Sequence, residues 1–219
     1  MVARTQAVFR LLIVTLVAVP LVWLAGPEAR AGALEDDAVA FVEKLAEEGI
    51  GSLTGQAVNM EKRIENFRVM FNDRFHVPAI ARFVLGRKVW KQASEEQQAE
   101  YMSLFEDLMV VSYVDLFASY AGESLNILKA VADDDSRATV HTDIIRPNAA
   151  DNRPVRVLWR VGTDGKVFKV LDLVVEGVSL SINYKRDFKS TVRRTGGIDG
   201  LLAELRSKTT QLREQAKGN

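Results

Sequence analysis

The chain has 219 residues, 47% of them apolar and 26% charged, which suits one domain with a substantial core. Basic and acidic residues number 29 each, so no basic excess points to nucleic acid. Cysteine is absent, which excludes disulfides and thiolate metal sites; His76 and His141 lack ligand-like spacing, so neither a metal nor a cofactor is expected.

The first 31 residues have the layout of a secretory signal peptide. Arg4 and Arg10 precede an uncharged apolar run from Leu11 to Leu24, and Ala29-Arg30-Ala31 places small residues at −3 and −1 of a cleavage site. A membrane anchor is the alternative, but a span needs about 20 apolar residues, and this run is shorter and ends at Gly26-Pro27. Cleavage removes three arginines and one glutamate, leaving 26 basic and 28 acidic residues in an exported domain at 32–219. The expected location is the periplasm.

The exported part opens with helical periodicity. Residues 34–49 read as a helix with acids in its first turn, an apolar stripe through Val39, Phe41, Val42, Leu45 and Ala46, and a stop at Gly49 and Gly51. A second helix spans about 56–74, burying Val58, Ile64, Phe67, Met70 and Phe71. Pro78 starts a short third helix that Gly86 stops. Ser94 and Gln97 form a capping box for a helix reaching Tyr120 that is apolar on several sides, so it must be covered on several sides or line a cavity.

From 124 to 182 the period changes to two, giving four antiparallel strands with turns at Asp133–Ser136, Pro147–Pro154 and Thr163–Gly165. Gly177 breaks the ladder, which Ser179–Ile182 extend briefly. Helices at about 184–195 and 198–215 close the chain around Gly196-Gly197. The expected fold is α+β, a twisted four-stranded antiparallel sheet with N- and C-terminal helices against one face. It resembles the nuclear transport factor 2-like cone, with an apolar pocket.

Three segments carry a more specific likeness. They are Ile80-Ala81-Arg82-Phe83-Val84-Leu85-Gly86-Arg87 with Trp90; the helix with Phe105, Leu108, Tyr113 and Tyr120; and Asp172-Leu173-Val174-Val175-Glu176-Gly177-Val178-Ser179-Leu180 with Asn183-Tyr184 and Phe188. In this order they resemble the MlaC, or toluene-tolerance auxiliary, family over about residues 36 to 206. The chain departs from it at Phe168, where the family has Trp, and at Lys185, where it has Arg. The resemblance implies a periplasmic phospholipid carrier. It would shuttle lipid between outer-membrane and inner-membrane ABC-transport complexes and so maintain lipid asymmetry. A relative associated with hopanoid transport leaves the lipid open.

Two acyl chains represent roughly 20–25 kcal/mol of gross hydrophobic free energy, which a carrier must replace with apolar lining. The lining candidates are Val84, Leu108, Val111, Leu116, Leu125, Ile127, Val140, Val157, Trp159, Leu173, Val175 and Leu180. Among the charged motif residues, Arg82 or Arg87 could contact a phosphate; alternatively, one of them pairs with Asp172 or Glu176 to hold helix against sheet. The run Lys185, Arg186, Lys189, Arg193 and Arg194 offers a basic helix face for a membrane-bound partner or for anionic headgroups. The competing functions are a periplasmic chaperone for apolar segments and a small-molecule enzyme with Asp172 as general base; no nucleophile motif accompanies that acid.

Overall fold

The computed structural model describes residues 27–54, 59–118, 122–147 and 153–218, with side chains from 32 onward apart from 116–118 and 217–218. The elements run α1 (Pro27–Leu53), α2 (Met60–Arg74), α3 (Val77–Leu85), α4 (Arg87–Gln92), α5 (Glu95–Ala118), β1 (Ser124–Asp134), β2 (Arg137–Ile145), β3 (Val155–Thr163), β4 (Phe168–Val175), β5 (Val178–Ser179), α6 (Leu180–Thr195) and α7 (Ile198–Gly218). The strands form one antiparallel sheet in sequential order. The α+β class is as expected, with five strands rather than four. No helix among the described residues is long and apolar enough to cross a membrane. Most of the signal-peptide segment, together with Val58 and the expected helix end at Tyr120, lies outside the described residues.

The first helix begins at Pro27 rather than 34, and three further boundaries differ from expectation, each for a local reason. The first helix runs through Gly49 and Gly51 to Leu53, because α2 supplies partners for its last carbonyls: Arg63 Nε donates to Leu53 O at 2.7 Å and Asn66 Nδ2 to Ser52 O at 3.0 Å. The described part of the second helix starts at Met60, behind Asn59, whose side chain accepts the Lys62 N–H at 2.8 Å. Ser179–Ile182 do not extend the sheet beyond Ser179. The Ser179 hydroxyl accepts the Ile182 N–H and caps α6, which therefore begins at Leu180 rather than 184. The short α4 was not anticipated.

The apolar residues form two cores. The helical core gathers α2, α3, α5, α6 and α7 around Tyr101, Phe105, Val110, Val114, Phe188 and Leu201. The second lies between α1 and the sheet, with Ala38, Val42 and Leu45 on Ala138, Val140, Val161 and Val170. Alanines at 130, 132 and 138 let α1 lie close to β1 and β2. Met70 and Phe75 are half-buried and touch both cores.

Candidate lipid-binding face

The strand register builds the site. Ile127, Thr142, Val157 and Val175 stand opposite one another across β1 to β4; the next row is Ala130, Val140, Trp159 and Leu173. Directly paired residues share a face, as do residues two apart on a strand. All seven sheet candidates (Leu125, Ile127, Val140, Val157, Trp159, Leu173 and Val175) therefore fall on the face that α1 partly covers. Their accessibility divides them. Val140 exposes 0% and Val157 4%, whereas Leu125, Ile127, Trp159, Leu173 and Val175 are half-buried. A side chain with no accessible surface touches neither solvent nor a cavity of water size, so Val140 is core beneath α1 in this conformation.

The helical candidates are more dispersed. Val84 and Leu108 pack inside the helical core. Val111 on α5 is 2% exposed and, like Val157 on β3, is buried without joining either core among the described residues. Leu180 is half-buried at the start of α6, and the Leu116 side chain lies outside the described residues. The main packing of α5 is on α7 and α2 rather than on the sheet. Sequence reasoning missed Phe75, Met70 as a bridge between cores, and the part played by Thr142. Thr142 is fully buried; its hydroxyl donates to Val157 O at 3.0 Å and accepts the Trp159 indole N–H at 3.1 Å. That bond turns a half-buried indole into a satisfied wall of the apolar face.

The charged motif residues resolve differently from expectation. Neither Arg82 nor Arg87 pairs with Asp172 or Glu176. Arg82 is exposed, with its guanidinium 5.1 Å from the centroid of Trp90, and Arg87 opens α4 on the surface. Asp172 is 8% exposed and accepts from Ser179 Oγ at 2.6 Å, Ser181 N at 3.1 Å and Arg160 Nη1 at 3.3 Å, which ties the start of α6 to β4. Its cationic partner is a neighbouring-strand arginine that spacing alone could not identify. Glu176, at φ 49°, and Gly177, at φ 80°, form the two-residue turn from β4 to β5, where positive φ at both positions is required. Glu176 also exchanges hydrogen bonds with Arg156: its carboxylate accepts the Arg156 N–H, and its own N–H donates to Arg156 O at 2.9 Å. Beneath α6, the Tyr113 and Tyr184 hydroxyls are 3.2 Å apart; burial first, and this bond next, push the Tyr184 hydroxyl far above its ordinary pKa, so it stays neutral.

A shallow, open concavity on α7 is lined by Arg206, Ser207, Thr210, Gln211 and Glu214. It is polar and lies away from the apolar face, so it contributes nothing to a lipid site.

Comparison with known proteins fits this geometry. The intermembrane phospholipid transport system binding protein MlaC of Haemophilus influenzae is 24% identical over 129 residues, which are 58% of this chain. The match spans 59% of that relative's own length. A solved structure of a phospholipid-binding protein from Ralstonia solanacearum, in complex with a phospholipid, superposes with a TM-score of 0.71 at 23% identity, covering 80% of this chain and 97% of that one. At that identity the likeness establishes the fold. The family model described as MlaC protein matches residues 46–207, most of the chain including α2 to α6, and the chain belongs to the MlaC family.

Proposed function

We propose that this protein is a periplasmic carrier, exported by residues 1–31, that holds a phospholipid by its acyl chains. The observation that carries this reading is the half-buried apolar patch of Leu125, Ile127, Trp159, Leu173 and Val175 on one face of the sheet. Acyl chains would lie along this face, displacing the half-buried side chains, while the headgroup stays in water. The matched relatives, a phospholipid transport system binding protein and a phospholipid-binding protein, support a phospholipid as the cargo. Delivery to inner-membrane and outer-membrane complexes in turn, by weak and transient contacts, completes the proposal. A carrier fits better than an enzyme because Asp172, the acid offered as a general base, is occupied by three donors.

Mass spectrometry of organic extracts from the purified protein tests the reading. Phospholipid at near-stoichiometric level is expected; a hopanoid would change the cargo, and peptide or no ligand would defeat the proposal. Leu173→Trp should lower bound lipid with circular dichroism intact, because Leu173 keeps accessible surface. Val140→Trp is a different experiment: at 0% exposure it overpacks the α1–sheet core and should cost about 1–3 kcal/mol of stability.

A further inference from the structure

Three large apolar side chains stand exposed on adjoining elements at one end of the helical layer: Phe83 at 44%, Val178 at 53% and Ile182 at 55%. Single exposed apolar residues need no explanation, but a group of them does. Phe83 belongs to α3, which packs beside α6; the Lys185 ammonium sits 3.9 Å from the centroid of its ring. Ile182, Lys185, Arg186 and Lys189 follow one another at helical spacing, so they share a single side of α6. The adjoining side carries Ser181 and Phe188 into the interior. Val178 lies on β5, one residue before the cap of the helix, whose first turn is fixed to β4 through Asp172, so the patch rides on a fixed element rather than a loop.

Charge is concentrated here as well. The chain as a whole is neutral, yet α6 carries five cations against one acid, Asp187. Arg194 is engaged by Glu204, but among the described residues Lys185, Lys189 and Arg193 join no ion pair. An apolar centre with a Lys/Arg collar matches the interface of an anionic bilayer, where apolar side chains reach the headgroup boundary and cations meet lipid phosphates.

We propose that the α3–α6 surface is a peripheral membrane-docking site that seats the protein on anionic bilayers, with Phe83 and Ile182 inserted and Lys185, Arg186 and Lys189 on the headgroups. The site is separate from the apolar face of the sheet. It rests on the carrier reading for its purpose, since a loaded carrier gains by being held at the leaflet it serves, but not for its binding.

Flotation of the full chain with phosphatidylcholine vesicles, with and without phosphatidylglycerol, tests this, with co-purified lipid measured on the same samples. Wild-type protein should favour the anionic vesicles, increasingly so as salt is lowered. The triple variant Lys185→Glu, Arg186→Glu, Lys189→Glu should lose at least about tenfold in partitioning. Phe83→Ser with Ile182→Ser should lose several-fold while keeping the salt dependence, and Lys208→Glu, an exposed cation on α7, should behave as wild type. Unchanged lipid content in the docking variants places the defect at the surface; absent lipid in wild-type protein that still floats defeats the carrier reading and leaves this one standing. Equal flotation of the triple variant and wild type would overturn the proposal. So would reduced delivery to a membrane protein with vesicle binding intact, which would assign the patch to a protein partner instead.

Discussion

At the scale of single residues, Asp172 shows how a motif acid can be structural. Its two oxygens serve two hydroxyl or backbone donors from the α6 start and one guanidinium from β3. Removing a buried acceptor leaves those donors unsatisfied, which costs about 1–3 kcal/mol. Asp172→Ala should therefore lose stability of that order in urea unfolding. Arg160→Ala should lose less than about 1 kcal/mol, since the Arg160 side chain is 48% exposed and the ion pair is screened. Reduced bound lipid at unchanged stability in Asp172→Ala would instead assign the carboxylate to a headgroup. The sequence showed that these charged residues matter together but not which ones meet. Pairing across strands depends on register, and a bulge between Arg160 and Val161 sets the register locally. At Gly177 the sequence showed a break in the ladder, which the structure makes the tight turn between β4 and β5.

At the scale of elements, the clearest signal was the start of α5. Ser94 Oγ accepts the Gln97 N–H at 3.2 Å and Gln97 Oε1 accepts the Ser94 N–H at 3.0 Å, the reciprocal pair of a capping box. Ser94→Ala should cost about 1 kcal/mol. Gln97→Ala should cost more than its side of the box alone, because Gln97 Nε2 also donates to Asp199 of α7 at 2.6 Å. Equal melting of Ser94→Ala and wild-type protein would show that tertiary packing alone holds this end. The apolar breadth of α5 carries less functional weight than the sequence suggested. Tyr101, Phe105, Leu108, Met109, Val110 and Val114 are absorbed by the helical core. A helix covered by several neighbours and a helix lining a cavity have the same sequence pattern; only the neighbours decide. The α1 end was illegible for a related reason. Two glycines signal a stop, but the arginine and asparagine that carry the helix past them belong to the next helix.

At the scale of the whole molecule, the apolar residues divide into two cores, and Met70 and Phe75 pack against both. Period-two patterning assigned the sheet candidates to one face, because alternation is a local property. It could not separate Val140, sealed under α1, from Trp159 and Leu173, which keep accessible surface, because that depends on where a distant helix lies. Trp159 makes occupation of this face observable. The chain has three tryptophans; the others are Trp23, inside the segment proposed for cleavage, and Trp90, packed edge-on against Tyr101 in the helical layer. In a Trp90→Phe variant beginning at Gly32, indole emission comes from Trp159 alone. Bromine quenches indole fluorescence on near contact, so loading with phospholipid brominated along its acyl chains should strongly reduce this emission. Unbrominated lipid should leave its intensity largely unchanged. Thr142→Val should weaken the response, since it removes the hydroxyl that fixes the indole. Emission indifferent to bromine in protein that demonstrably carries lipid would place the acyl chains away from the β2–β3 face and reject that face as their site.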